Sequence, residues 1–143
     1  MSNFSERLKE LMQEKELTQT ALSKETGIRT TLISNFILAK NLPSYENLLR
    51  FAYYFNCSVD YLLGKTDFPD EAPLHEVPFF HERLRQILQE QKISQERLKR
   101  ELPVSGSVLY KWISGKSQPS SESLLALADY FETSVDYLIG RIR

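Results

Sequence analysis

The feature that most limits what this chain can fold into is that it states one pattern twice. Residues 4–67 fall on residues 80–143, 76 positions further on, without a gap. Phe4-Ser5-Glu6-Arg7-Leu8 meets Phe80-His81-Glu82-Arg83-Leu84, and Ser58-Val59-Asp60-Tyr61-Leu62-Leu63-Gly64 meets Ser134-Val135-Asp136-Tyr137-Leu138-Ile139-Gly140. Roughly two in five aligned positions are identical, and others change within type, such as Leu11/Ile87 and Thr18/Ser94. Solenoid repeats run to about 50 residues, whereas a unit of roughly 64 is just large enough to hold its own core. Two small domains in tandem are therefore expected.

Apolar spacing within each repeat is helical. Phe4, Leu8, Leu11 and Met12 recur at three and four residues and predict a first helix over about 4–15, with Asn3 and Glu6 suited to a capping box. Thr18 opens a second helix to about Glu25, and Gly27 supplies a left-handed turn. A third helix over about 29–38 turns Leu32, Ile33 and Phe36 inward. Ser44 caps a fourth, carried by Leu48, Leu49, Phe51, Ala52 and Phe55, and Ser58 caps a short fifth ending at Gly64. The second repeat gives the same five at about 80–91, 94–101, 105–114, 120–131 and 134–139. Nothing reads as a strand, so the fold class is all-α. The domains are residues 1–67 and 79–143. Between them, residues 68–78 hold three prolines and three acids, which predicts an extended linker reaching about 34 Å. That is close to one turn of B-DNA.

Charge sets a weaker bound. Eighteen basic residues face nineteen acidic ones. Residues 1–67 carry eight of each and 79–143 carry ten basic against eight acidic, so the acidic excess lies in the linker. The chain lacks the high overall pI that often marks nucleic-acid binders, although a local basic stripe can suffice. Cys57 alone cannot form an internal disulfide, and its place before a short amphipathic segment suits a buried small apolar residue. No apolar run approaches the roughly 18 residues of a membrane span, and no signal-peptide core is present. A cytoplasmic protein is expected, with no membrane partner. His75 and His81 stand outside any metal-ligand spacing, so no metal or cofactor is expected. There is no phosphate loop or nucleophile–base pattern, hence no evident small-molecule substrate and no enzyme.

The second and third helices carry a resemblance. Thr18-Gln19-x-x-Leu22-Ser23-x-x-x-Gly27-Ile28-x-x-x-x-Ile33-Ser34, followed by Lys40-x-x-Pro43-Ser44-x-x-x-Leu48, resembles the lambda-repressor-like helix-turn-helix family of Cro or XRE type. The closing Ser-Val-Asp-Tyr-Leu-Leu-Gly is similar to that family's fifth helix, and the resemblance covers both repeats. It implies double-stranded DNA as partner, with the third helix of each repeat presented to the major groove. It also implies that Gln19 and Gln95 touch phosphate, that Thr30, Thr31 and Asn35 face bases, and that Lys40 and Lys116 meet the backbone. Gly106, Ser107 and Lys111 are the base-facing counterparts in repeat two. Asn pairs with adenine and a Thr methyl meets a thymine methyl, while Lys111 can donate to guanine or to phosphate. Trp112, matching Phe36, reads as core beside Leu109 and Ile113.

Departures from the family pattern carry information. An ion pair common in the family, between the first and third helices, is replaced by Met12 and Ile37 and again by Leu88 and Ile113. Both partners are apolar, so no charge is orphaned. Repeat two has Lys99 for the small Ser23, Pro103 for the turn glycine, and Gly106 at the first reading position. Lys99 is expected to hinder close approach of the third helix, and Pro103 to alter the turn. In repeat one Arg29 stands where a capping Ser is usual, whereas Ser105 keeps that cap in repeat two. A division of labour is expected: repeat one supplies more of the sequence discrimination, and the more basic repeat two more of the electrostatic hold. Leu38, Leu42, Tyr45 and Tyr53 align with Ser114, Gln118, Ser121 and Asp129. Positions that tolerate polar residues are expected at the surface, which predicts an apolar patch in contact with either repeat two or another chain, a homodimer partner or a regulatory protein.

The expected function is a sequence-specific DNA-binding transcriptional regulator, a repressor by resemblance. The competing reading is a protein-interaction module, antirepressor-like or antitoxin-like, that keeps the fold without binding DNA. Near-neutral charge and the broken second motif favour it; Thr30, Thr31, Asn35 and Lys40 oppose it.

Overall fold

Helix starts in this chain are written by polar side chains that catch a free backbone N–H, and the boundaries follow from them. The computed structural model describes residues 3–69 and 75–142. Repeat one forms α1 (Asn3–Glu14), α2 (Gln19–Thr26), α3 (Thr30–Ile37), α4 (Tyr45–Phe55) and α5 (Val59–Leu62). Repeat two forms α6 (Phe80–Gln91), α7 (Gln95–Glu101), α8 (Gly106–Ser114), α9 (Ser121–Phe131) and α10 (Val135–Ile139). The fold is all-α, and the described residues include no strand. Thr18, Ser44 and Ser58 each accept a hydrogen bond from the N–H three residues on, as do Ser94, Ser105, Ser120 and Ser134. The capping role expected of Asn3 lies outside the described side chains.

The chain divides into two compact units, residues 1–71 and 72–143. In the first, α1 packs against α3 and α5, and α2 against α3 and α4. Phe4, Phe36 and Phe51 meet at the centre, with ring centroids 5.8–5.9 Å apart and mostly edge to face. Cys57 is buried at the entry to α5. In the second unit, α6 packs against α8 and α10, and α10 against α9. Leu84, Ile87, Leu109, Trp112, Leu124 and Leu127 are buried there. Residues within the expected linker fold back onto the units: the Ser58 N–H donates to the Pro69 carbonyl at 2.7 Å, and the His75 N–H to the Arg141 carbonyl at 2.6 Å. Residues 70–74 of that linker lie outside the described residues.

One tie is shared by both units. Arg7 Nε donates to the Tyr61 carbonyl at 3.1 Å with its guanidinium 3.9 Å from the Tyr61 ring centroid. Arg83 repeats this on Tyr137, with the same 3.1 Å bond and a 4.8 Å ring distance. The first helix is thereby fastened to the end of the last. The positions of the missing ion pair have another solution. Met12 and Leu88 are buried. The carbonyl ending the third helix is met by a first-helix donor, Ser5 Oγ on Ile37 at 2.6 Å and Arg85 Nη2 on Ile113 at 2.9 Å.

The apolar patch expected on repeat one is corrected at Tyr45, which is only 6% exposed. Its counterpart Ser121 is also buried, at 0%. A small hydroxyl at this position therefore marks a smaller core, not a surface. Burial pushes the Tyr45 phenol well above its usual range, with a further rise from the neighbouring Tyr53. Leu42 is half-buried. Leu38 at 60% and Tyr53 at 47% are the exposed members.

Candidate nucleic-acid interface

The turn between α2 and α3 is fixed by local hydrogen bonds. Gly27 sits in the left-handed region at φ 77°, and its N–H reaches the Ser23 carbonyl. Thr26 Oγ1 donates to the Leu22 carbonyl at 2.7 Å and accepts from the Ile28 N–H at 3.2 Å. Buried Ile28, Ile33 and Phe36 then pin α3 by one side. Thr30 and Thr31 lie exposed at its start, and Asn35 is half-buried one turn on. Gln19 is exposed at the first position of α2. As expected, Arg29 gives α3 no side-chain cap. A Cβ at Gly27 meets nothing within 4 Å, so Gly27→Ala carries only the backbone penalty of φ > 0. We expect a loss of about 1–2 kcal/mol, read as a lower urea midpoint for residues 3–69 alone.

Repeat two builds the turn differently, because Pro103 cannot take a positive φ. The chain leaves α7 at Leu102 with extended backbone, φ −92° and ψ 133°, and Leu102 is buried where repeat one has the Thr26 latch. Ser105 then caps α8 by accepting from the Val108 N–H at 3.2 Å. The register survives, since α8 begins at Gly106, the counterpart of Thr30. The packing does not: α2 lies on α3, whereas α7 and α8 share no comparable contact. Instead α7 is tied to α9. The Tyr130 hydroxyl on α9 donates to the Glu101 carboxylate, which also accepts from Arg97 Nε within α7 at 3.0 Å. That Tyr130 hydrogen bond, then Arg97, holds the Glu101 carboxyl below the usual carboxylate range.

On α8, Leu109 and Trp112 are buried, while Ser107 and Lys111 are exposed. Gln95 is exposed at the first position of α7. Lys40 and Lys116 occupy the same place beyond the third helix. Each follows a left-handed residue, Ala39 or Gly115, and closes its N–H on a carbonyl five residues back at 2.9 Å. Thr30, Thr31 and Asn35 thus share one helix with Lys40 just past its end, and Ser107 and Lys111 share another with Lys116. The interface candidates Leu38 and Tyr53 lie outside that set. The sequence reading leaves out Tyr110, which is 59% exposed one turn after Ser107, with the Lys116 ammonium 5.2 Å from its ring centroid. Its signal was an aromatic aligned with Ser34. Among the described residues no cluster of His, Cys, Asp or Glu could hold a metal ion, and no helix is long and apolar enough to cross a membrane.

Residues 8–62 and, separately, 84–138 match the helix-turn-helix family. The chain belongs to that family. Relatives of this helix-turn-helix protein include the HTH-type transcriptional activator BcrR of Enterococcus faecalis, 37% identical over 43% of this chain and 30% of the relative. Two proteins named as uncharacterized HTH-type transcriptional regulators of Bacillus subtilis are also similar. YobD is 31% identical over 47% of this chain and 60% of its own length, and YqaE is 34% identical over 48% and 63%. The chain thus spans from under a third to under two thirds of the curated relatives it matches. A solved transcriptional regulator from Listeria innocua aligns with 83% of this chain and 99% of its own, at 20% identity and a TM-score of 0.43.

Proposed function

We propose that this helix-turn-helix protein is a sequence-specific transcriptional regulator of double-stranded DNA, acting in the cytoplasm as a repressor that occludes a promoter. In this reading α3 and α8 enter major grooves, Thr30, Thr31, Asn35 and Ser107 meet base edges, and Gln19, Gln95, Lys40, Lys116 and, of the two partners open to it, Lys111 meet phosphates. Leu38 and Tyr53 are assigned to contact with a second protein surface.

The observation that carries the reading is the two-sidedness of α3. Ile33 and Phe36 bury one side, leaving Thr30 and Thr31 exposed beside Asn35. Such a helix offers a row of small polar side chains from a rigid mount, which suits a groove about 12 Å wide. Selection from a random duplex pool at two salt concentrations tests it. We expect enrichment of a motif with two half-sites, and weaker binding at the higher salt. No enrichment at either concentration defeats the reading and leaves a protein-binding scaffold.

A further inference from the structure

The third helix of repeat two opens on a residue without a side chain, and a lysine from the preceding helix fills the space. A Cβ built on Gly106 would stand 2.7 Å from Lys99 Cε, 3.1 Å from Nζ and 3.5 Å from Cδ. The corresponding pair in repeat one is Ser23 and Thr30. A small residue on the second helix with a side chain on the third has become a long residue on the second with none on the third. Each change taken alone is a defect, since Lys99 keeps α7 and α8 apart and Gly106 weakens a helix. Taken together they put an ammonium where the first side chain of α8 would be.

Among the described residues nothing engages that ammonium: Lys99 is exposed and forms no hydrogen bond or ion pair there. Glu101, two positions on, is engaged by Arg97 and Tyr130. We infer that Lys99 is the specificity-determining side chain of repeat two at the place Thr30 holds in repeat one, and that its ammonium donates to the O6 and N7 acceptors of a guanine. The inference rests on the DNA reading above, in which the first residues of the recognition helix meet base edges. Lysine is suited to guanine because that base presents two acceptors in the major groove and no donor between them. The stem lying along Gly106 confines the side chain before DNA arrives, which lowers the ordering cost on binding.

The full chain, Lys99→Ala, Gly106→Ala and the double variant provide the test, using the duplex enriched by the parent. The parent is expected to prefer guanine at one position of one half-site by about 5- to 150-fold over other bases. Lys99→Ala flattens that position and leaves the rest of the motif unchanged. Gly106→Ala does the same, because its methyl displaces Lys99, and the double variant loses nothing more. Folding is separated from reading by heat. Gly106 opens α8 in backbone that alanine also adopts, so Gly106→Ala in the Lys99→Ala background lowers the entropy of the unfolded chain and raises the melting temperature without restoring the guanine preference. Persistence of the preference in Lys99→Ala overturns the inference. A uniform loss across sequences, with the salt slope falling by about 0.9, also overturns it, by making Lys99 a phosphate contact. If the parent enriches no motif, the regulator reading fails first and takes this inference with it.

Discussion

Phe36→Ala is expected to unfold repeat one and leave repeat two folded. The ring is buried and lies 5.8 Å from Phe4 and 5.9 Å from Phe51, both edge to face. Removing a core aromatic costs about 3–5 kcal/mol, because the cavity collapses only partly. A unit the size of residues 1–71 has a total stability of about 4–10 kcal/mol. One substitution thus removes a large share of it. Phe36 also belongs to α3, so its loss frees the helix that carries Thr30, Thr31 and Asn35. Amide spectra should show collapse of signals from residues 3–69 while those from 75–142 stay dispersed. A loss below about 1 kcal/mol would mean that α3 is not anchored as described. In DNA binding, the half-site read by repeat one should lose its sequence preference.

The helices were legible because their starts and faces are both chemical. A Ser or Thr before a three- and four-residue apolar rhythm marks a start, and every cap read that way at residues 18, 44, 58 and 105 makes its bond. The inference from Tyr45 failed for a physical reason. Comparing repeats equates a polar counterpart with exposure, yet Ser121 is buried as fully as the tyrosine it replaces. The clamp formed by Arg7 and Arg83 was present as identity in both repeats. It stayed unread because its acceptor is a main-chain carbonyl, which no side chain announces. In sequence Lys99 and Gly106 stand only as separate departures of repeat two from the family pattern. Their fit depends on two helices joined by a rebuilt turn, so spacing along the chain could not reveal it. Thr30, Thr31 and Asn35 were named by family resemblance, and the exposure of the first two with Asn35 half-buried is what the inward spacing of Ile33 and Phe36 requires.

The two repeats should respond differently to truncation of their DNA-facing side chains. Repeat two holds ten basic residues against eight acidic ones, and repeat one holds eight of each. Lys111 and Lys116 are exposed, and the Lys116 ammonium rests 5.2 Å from the Tyr110 ring, which restrains it beside α8. Each phosphate contact contributes about 0.9 to the slope of log affinity against log salt. Lys111→Ala and Lys116→Ala should therefore each flatten the slope by roughly that amount and weaken every sequence alike. Asn35→Ala should leave the slope unchanged and cost about 1–3 kcal/mol on the preferred site alone, because a bidentate amide–adenine pair is lost. Thr31→Ala should act in the same direction by removing a methyl contact. Lys99 adds a reading position to repeat two beside Ser107, so the asymmetry is of degree: a guanine-selecting contact within a mainly electrostatic grip. Titrations of all four variants on the enriched duplex and on a scrambled one measure both terms. If Asn35→Ala flattened the slope while Lys111→Ala and Lys116→Ala relaxed sequence preference, the roles of the repeats would be exchanged, and the basic excess of residues 79–143 would have to serve something other than phosphate.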